Sequence, residues 1–147
     1  MVWRTLLEQP DEWWVADLRC YGPGSIVRLD ARPGGHLTET TEDGRGLLWY
    51  TVTEVVPGEA LNLLGVVAPP YGGPYQNTLL IRLDADGDGT RVRLTNAMSG
   101  VVDESARGPV EEGWRALLDR GIRARGMKPG AKRDAIWKAL YIPHLGG

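Results

Sequence analysis

Two adjacent segments of this sequence alternate with period two. Leu79, Ile81 and Leu83 share one face of the first segment, while Leu80, Arg82 and Asp84 share the other. In the second, Val92, Leu94, Asn96 and Met98 oppose Arg91, Arg93 and Thr95. This is the pattern of strands with one buried and one wet face, and it puts Asn96 on the buried one. The link Ala85–Gly89 is short, so the two strands are antiparallel neighbours. A one-sided sheet needs a cover. The one long helical pattern is Pro109–Arg125, where Val110, Trp114, Leu117, Leu118 and Ile122 make an apolar stripe. Pro109 suits the start of that helix and Gly126 its end.

Further strand candidates, each bounded by Gly, Pro or Asp, are Ser25–Ala31, His36–Thr41, Leu47–Val56 and Leu61–Val67. With Asn77–Asp84 and Thr90–Met98 they predict a meander of antiparallel strands. Val2, Trp3, Leu6 and Leu7 have helical spacing, and Pro10 opens a second short turn through Trp14. After Lys128-Pro129-Gly130, a weaker amphipathic helix is expected over Ala131–Tyr141, ended by Pro143. The run Asp84-Ala85-Asp86-Gly87-Asp88-Gly89 resembles the start of a calcium loop. Its twelfth position is Thr95 rather than Glu and both flanks read as strands, so a hairpin turn is expected instead.

The 147 residues fit one domain. A net charge of -2 gives no footprint for nucleic acid. No apolar stretch approaches the roughly 20 residues that span a bilayer, and Met1-Val2-Trp3-Arg4 is no signal peptide. With Cys20 the lone cysteine, neither an internal disulfide nor a cysteine zinc site is expected, and the reading is cytoplasmic.

Nothing in the sequence assembles a catalytic constellation, and neither a metal nor a cofactor is expected. Ser25, Ser99 and Ser105 lack an elbow motif. His36 and His144 read as surface residues, and Cys20 as a buried structural thiol. Asp103, Glu104, Glu111 and Glu112 cluster at the start of the long helix, where negative charge suits the dipole. Glu39 and Glu54 lie within strands and are expected to be exposed; facing a cavity instead, either would have its pKa raised by desolvation and become a candidate base.

The order of segments resembles the SRPBCC superfamily, also called START-like or birch-pollen-allergen-like, and within it the AHSA type (activator of heat-shock-protein ATPase). The matching residues are Val2-Trp3-Arg4-Thr5-Leu6 with Pro10 and Trp13-Trp14, then Asp30-Ala31-Arg32-Pro33-Gly34-Gly35. Thr53-Glu54-Val55-Val56-Pro57 with Leu61, Gly89-Thr90-Arg91-Val92-Arg93-Leu94-Thr95 and Glu112-Gly113-Trp114 with Leu117-Leu118 complete them. The resemblance implies an α+β helix-grip fold over residues 1–126, a curved antiparallel sheet around the C-terminal helix with a mainly apolar cavity between, and an extension over 127–147.

The family pattern opens with a strand ahead of the first helix, where this sequence opens in that helix. The vacated edge is then filled by another segment or by a second copy in a homodimer, and Trp137–Ile142 is expected to cover that surface. Where the family often has His, at the end of the last strand, this chain has Asn96.

The expected cavity wall comprises Trp14, Tyr50, Val52, Leu79, Ile81, Asn96 and Leu118, with Trp114 as its floor. Tyr71 and Tyr75, held in the loop Ala68–Gln76 between Pro and Gly, are expected at its mouth. Three functions are implied: binding of a small apolar, aromatic or lipid-like ligand; catalysis of the polyketide cyclase or aromatase kind in the same cavity; and interaction with a chaperone. An exposed patch around Trp49 or the tail would favour the third.

Overall fold

The computed structural model describes residues 2–71, 73–102, 105, 107–123 and 140–143. Two short helices, α1 (Val2–Glu8) and α2 (Pro10–Trp13), and a 3₁₀ turn (Ala16–Leu18) precede the sheet. The strands follow as β1 (Ile26–Leu29), β2 (His36–Thr40), β3 (Gly46–Val56), β4 (Ala60–Val67), β5 (Tyr75–Asp86) and β6 (Gly89–Gly100). They form a curved antiparallel meander in sequence order. Helix α3 (Arg107–Ala116) comes next and continues as a wider π-type coil, Leu117–Arg123.

This is the expected α+β helix-grip class, with one difference in the helix. The predicted single α-helix over Pro109–Arg125 is ten residues of α-helix followed by π coil. Residues 124–125 lie outside the described residues.

The strands form where alternation meets short turns. Gly87 and Asp88 alone link β5 to β6, with Asp86 opposite Gly89. Gly87 has φ +60°, as the first position of a II′-type turn requires. The expected hairpin therefore replaces any calcium loop.

Leu79, Ile81 and Leu83 of β5 pack with Val92 and Leu94 of β6 in a core shared with Trp114, Leu117 and Leu118. Val52, Leu61, Leu63 and Leu6 complete its centre. The helical stripe read from the sequence thus meets the buried sheet face.

One strand breaks the simple alternation. In β3, Leu47 lies opposite Glu39, Leu48 opposite Thr38 and Tyr50 opposite Leu37, which leaves Trp49 as an extra residue. A bulge of this kind re-aims side chains. A second irregularity, between Val52 and Glu54, follows in the pairing with β4. Leu47 and Trp49 are half-buried, Tyr50 and Val52 are buried, and Val55 again packs on the core. The inward face passes from odd to even residues and back.

The sheet's first edge is closed by a side chain. The Val27 backbone N–H donates to the Asp11 carboxylate at 2.8 Å. Arg19, whose side chain is nearly buried, donates to the same carboxylate at 2.9 Å and to the carbonyls of Asp11, Trp14 and Ser25. One guanidinium thereby ties the second short helix to the start of β1.

At the other edge, β7 (Leu140–Pro143) pairs in parallel with Thr95–Met98 of β6. The helix expected over Ala131–Tyr141 therefore does not extend through Leu140 and Tyr141. The open β6 edge offers a row of backbone partners that outweighs a weak helical preference. Residues 131–139 of that expectation lie outside the described residues. So do residues 137–139 of the segment expected to cover the edge, whereas Leu140–Ile142 runs along it.

Candidate functional site

Between the helix and one end of the sheet lies a pocket of about 290 Å³, open to solvent on one side. Helix α3 and its continuation contribute Val110, Gly113, Trp114 and Leu117, the i, i+3, i+4, i+7 face of a helix. The N-terminal turns add Trp14, Leu18 and Cys20. Strands β3, β4 and β5 add Leu47–Tyr50, Gly65–Val67, and Tyr75 with Asn77. The exposed Leu48 and Val66 belong to this lining.

The wall is mainly apolar, and four of its rings lie in contact. The Trp14 ring lies 5.0 Å from Trp49, 5.4 Å from Trp13 and 5.9 Å from Trp114, centroid to centroid. Tyr50 lies 6.1 Å from Trp114. Tilted and edge-on ring pairs at these distances are favourable beyond their burial. The indole N–H groups have partners: Trp13 donates to Leu6 O at 3.1 Å, Trp14 to Leu18 O at 3.5 Å and Trp49 to Glu39 Oε2 at 3.0 Å.

Glu39 is fully buried, contrary to the exposure expected of it. It accepts four hydrogen bonds, from Cys20 N at 3.1 Å, Tyr21 N at 2.8 Å, the Ser25 hydroxyl at 2.7 Å and Trp49. Burial pushes its carboxyl up, and the four donors together push it further down, so its pKa lies below the ordinary value. That is the reverse of a candidate base. Glu39 is an anchor that fixes the 20–25 loop and the Trp49 wall. Glu54 is exposed as expected and accepts from Asn62.

Cys20 is exposed and borders the pocket, rather than being buried as read from sequence. Its thiol, partly shielded on the pocket side, is pushed up first by that desolvation and then by the Glu39 charge. His36 is exposed, as expected; His144, Asp103 and Glu104 lie outside the described residues. No metal-binding cluster of His, Cys, Asp or Glu occurs among the described residues. Trp49 itself is half-buried in the pocket wall, while its neighbour Leu48 and, on β4, Val66 are the exposed apolar residues beside it.

The polar end of the pocket is built across three strands. Gly65 of β4 lies opposite Asn77 of β5. A Cβ on Gly65 would come 3.0 Å from the Tyr50 ring and 2.5 Å from the Trp49 carbonyl oxygen. The bare glycine leaves the Tyr50 ring room to cross β4 and take a hydrogen bond from Asn77 Nδ2 at 2.7 Å. Burial, and secondarily Tyr75, pushes the Tyr50 phenol well above its ordinary value, so it stays neutral. Asn77 Oδ1 is buried without a partner, as are both amide atoms of Asn96. Each orphaned polar atom of this kind costs about 1–3 kcal/mol.

Of the residues singled out from sequence, Trp14, Tyr50, Tyr75 and Trp114 line the pocket. Val52, Leu79, Ile81 and Leu118 sit in the packed core instead. Asn96 faces Leu79 across the strands, beside Asn77 on the same sheet face. Tyr71 falls in a short 3₁₀ turn, Pro69–Tyr71, and its ring lies outside the described side chains. Trp49, Gly65, Asn77 and Glu39 were missed as site residues. Period two does place Glu39 with Leu37, and Asn77 with Leu79 and Ile81; nothing comparable signals the Trp49 bulge.

A family model described as activator of Hsp90 ATPase homolog 1-like protein matches residues 1–124. No curated protein and no solved structure matches the chain.

Proposed function

Since the chain belongs to the activator of Hsp90 ATPase homolog 1-like family, within the SRPBCC superfamily, we propose that its pocket binds a small, mainly apolar ligand. The observation that carries this reading is the ring-lined opening formed by Trp14, Trp49, Tyr50 and Trp114. Its volume of about 290 Å³ lies just below the range of about 300–1,000 Å³ usual for small-molecule sites, which suits a small ligand. Apolar burial supplies the affinity, roughly 25 cal/mol per Å². The lone Cys20 suits a reducing compartment, and we place the protein in the cytoplasm. No helix among the described residues is long and apolar enough to cross a membrane.

Native mass spectrometry of gently purified protein, followed by a thermal-shift screen of aromatic and acyl compounds, tests this reading. A reproducible co-purified mass is expected, or stabilisation that is lost on Trp114→Ala relative to that variant's own baseline. A clean apo mass with no shift would reject ligand binding in favour of the chaperone-partner reading.

A further inference from the structure

The pocket is selective at one end. Among the described residues its lining holds no Lys, Arg or His, so an anionic ligand would be buried without a counter-charge. Its polar end is an amide, one half of which is engaged and the other spare. Asn77 Nδ2 is engaged by the Tyr50 oxygen at 2.7 Å, and Asn77 Oδ1 is left buried and unpaired.

Asn96 lies diagonally from Asn77 on the same buried face, since Asn77 pairs with Met98 and Leu79 with Asn96. Residues so placed lie about 7–8 Å apart, so one intervening polar group can connect their short side chains. Asn96 has an unpaired donor and an unpaired acceptor. A lone carbonyl oxygen asks for a hydrogen-bond donor, and a hydroxyl is a small group that donates to it while still accepting from a neighbour. A carboxylate would set lone pairs against lone pairs.

We propose that the pocket selects a neutral, apolar ring molecule bearing one hydroxyl, whose hydrogen seats on Asn77 Oδ1. This rests on the ligand-binding reading above and adds the ligand's charge state and polar group.

Equilibrium dialysis with naphthalene, 2-naphthol and 2-naphthoate at pH 7 separates the two claims. In the unaltered protein, naphthol is expected to bind about tenfold more tightly than naphthalene, the scale of one buried hydrogen bond, and naphthoate more weakly than both. In Asn77→Leu, naphthalene binding persists while the naphthol preference falls to about onefold. The order of the three probes in the unaltered protein stands as a test even where the variant fails to fold. Naphthalene bound as tightly as naphthol would overturn the hydroxyl assignment and leave ligand binding standing. So would naphthoate bound more tightly than naphthol, or a preference that survives Asn77→Leu. Failure of all three probes to bind would overturn both claims.

Discussion

Tyr50 and Asn77 meet across an intervening strand, the Asn77 amide donating to the Tyr50 hydroxyl at 2.7 Å over the bare backbone of Gly65. The contact joins residues 27 apart in sequence and makes the polar end of an otherwise apolar pocket. It exists because three local choices agree: the bulge at Trp49, the glycine on β4 and the inward register of β5.

Gly65→Ala should therefore damage the site and the fold together. The added methyl would press on the Trp49 carbonyl, which is backbone and cannot swing away, as well as on the Tyr50 ring. A loss of about 2 kcal/mol is expected in urea denaturation. Unchanged stability would mean that β4 shifts freely, and that Gly65 does not set the Tyr50 position.

Glu39 should give the protein an acid-sensitive component of stability. Its folded pKa lies below the unfolded value of 4.5. The contribution is then complete above that value and is lost as pH falls through the lower folded pKa. Glu39→Gln should cost about 2–3 kcal/mol at pH 7, because an amide turns donors toward some of the four donors now satisfied. The gap between the two proteins should narrow as pH falls from about 5 through that unfolded value and on through the lower folded pKa. A gap that stays constant over that range contradicts the assignment.

Much of this architecture was legible beforehand, because β5 and β6 obey period two and the α3 stripe obeys period 3.6. Trp14, Tyr50 and Trp114 could be named from ring size and spacing, and Tyr75 from its place in the Pro- and Gly-rich segment at the pocket mouth. Val52, Leu79, Ile81 and Leu118 were inward too, but packing fills the space in front of them. For Glu39, charge argues for exposure and alternation with Leu37 argues for burial, and no local pattern shows that four donors converge on it. The Trp49 bulge depends on how β2 and β3 align, which is a property of two strands and not of one. The β7 strand likewise forms only because β6 presents an open edge.

Cys20 offers a chemical report on the pocket. Burial and the nearby Glu39 charge hold its thiol above the ordinary value of 9.0, so less of it is thiolate at neutral pH. Labelling by a thiol-reactive dye at pH 7.5 should run several-fold slower than for a free peptide cysteine, and slower still with naphthalene present. A rate equal to that of the peptide, unaffected by naphthalene, would contradict its position on the pocket wall.

The tail strand should stabilise the sheet by covering its last edge. Deleting residues 127–147 removes β7 and bares the backbone of Thr95–Met98. A Tm lower by several degrees is expected, together with a greater tendency to pair through that edge, read as a two-chain mass in native spectrometry. An unchanged Tm and an unchanged mass would remove any structural part for β7.

The central claim is that the ring-lined pocket takes an apolar molecule. It is tested most directly by following the indole N–H signals of ¹⁵N-labelled protein while naphthalene is added. Trp14, Trp49 and Trp114 line the pocket, whereas Trp3 packs against the core and is not part of the lining. The account predicts that the first three signals move together and saturate while Trp3 stays in place. Three unmoved signals at saturating naphthalene, or a shift confined to Trp3, would contradict it.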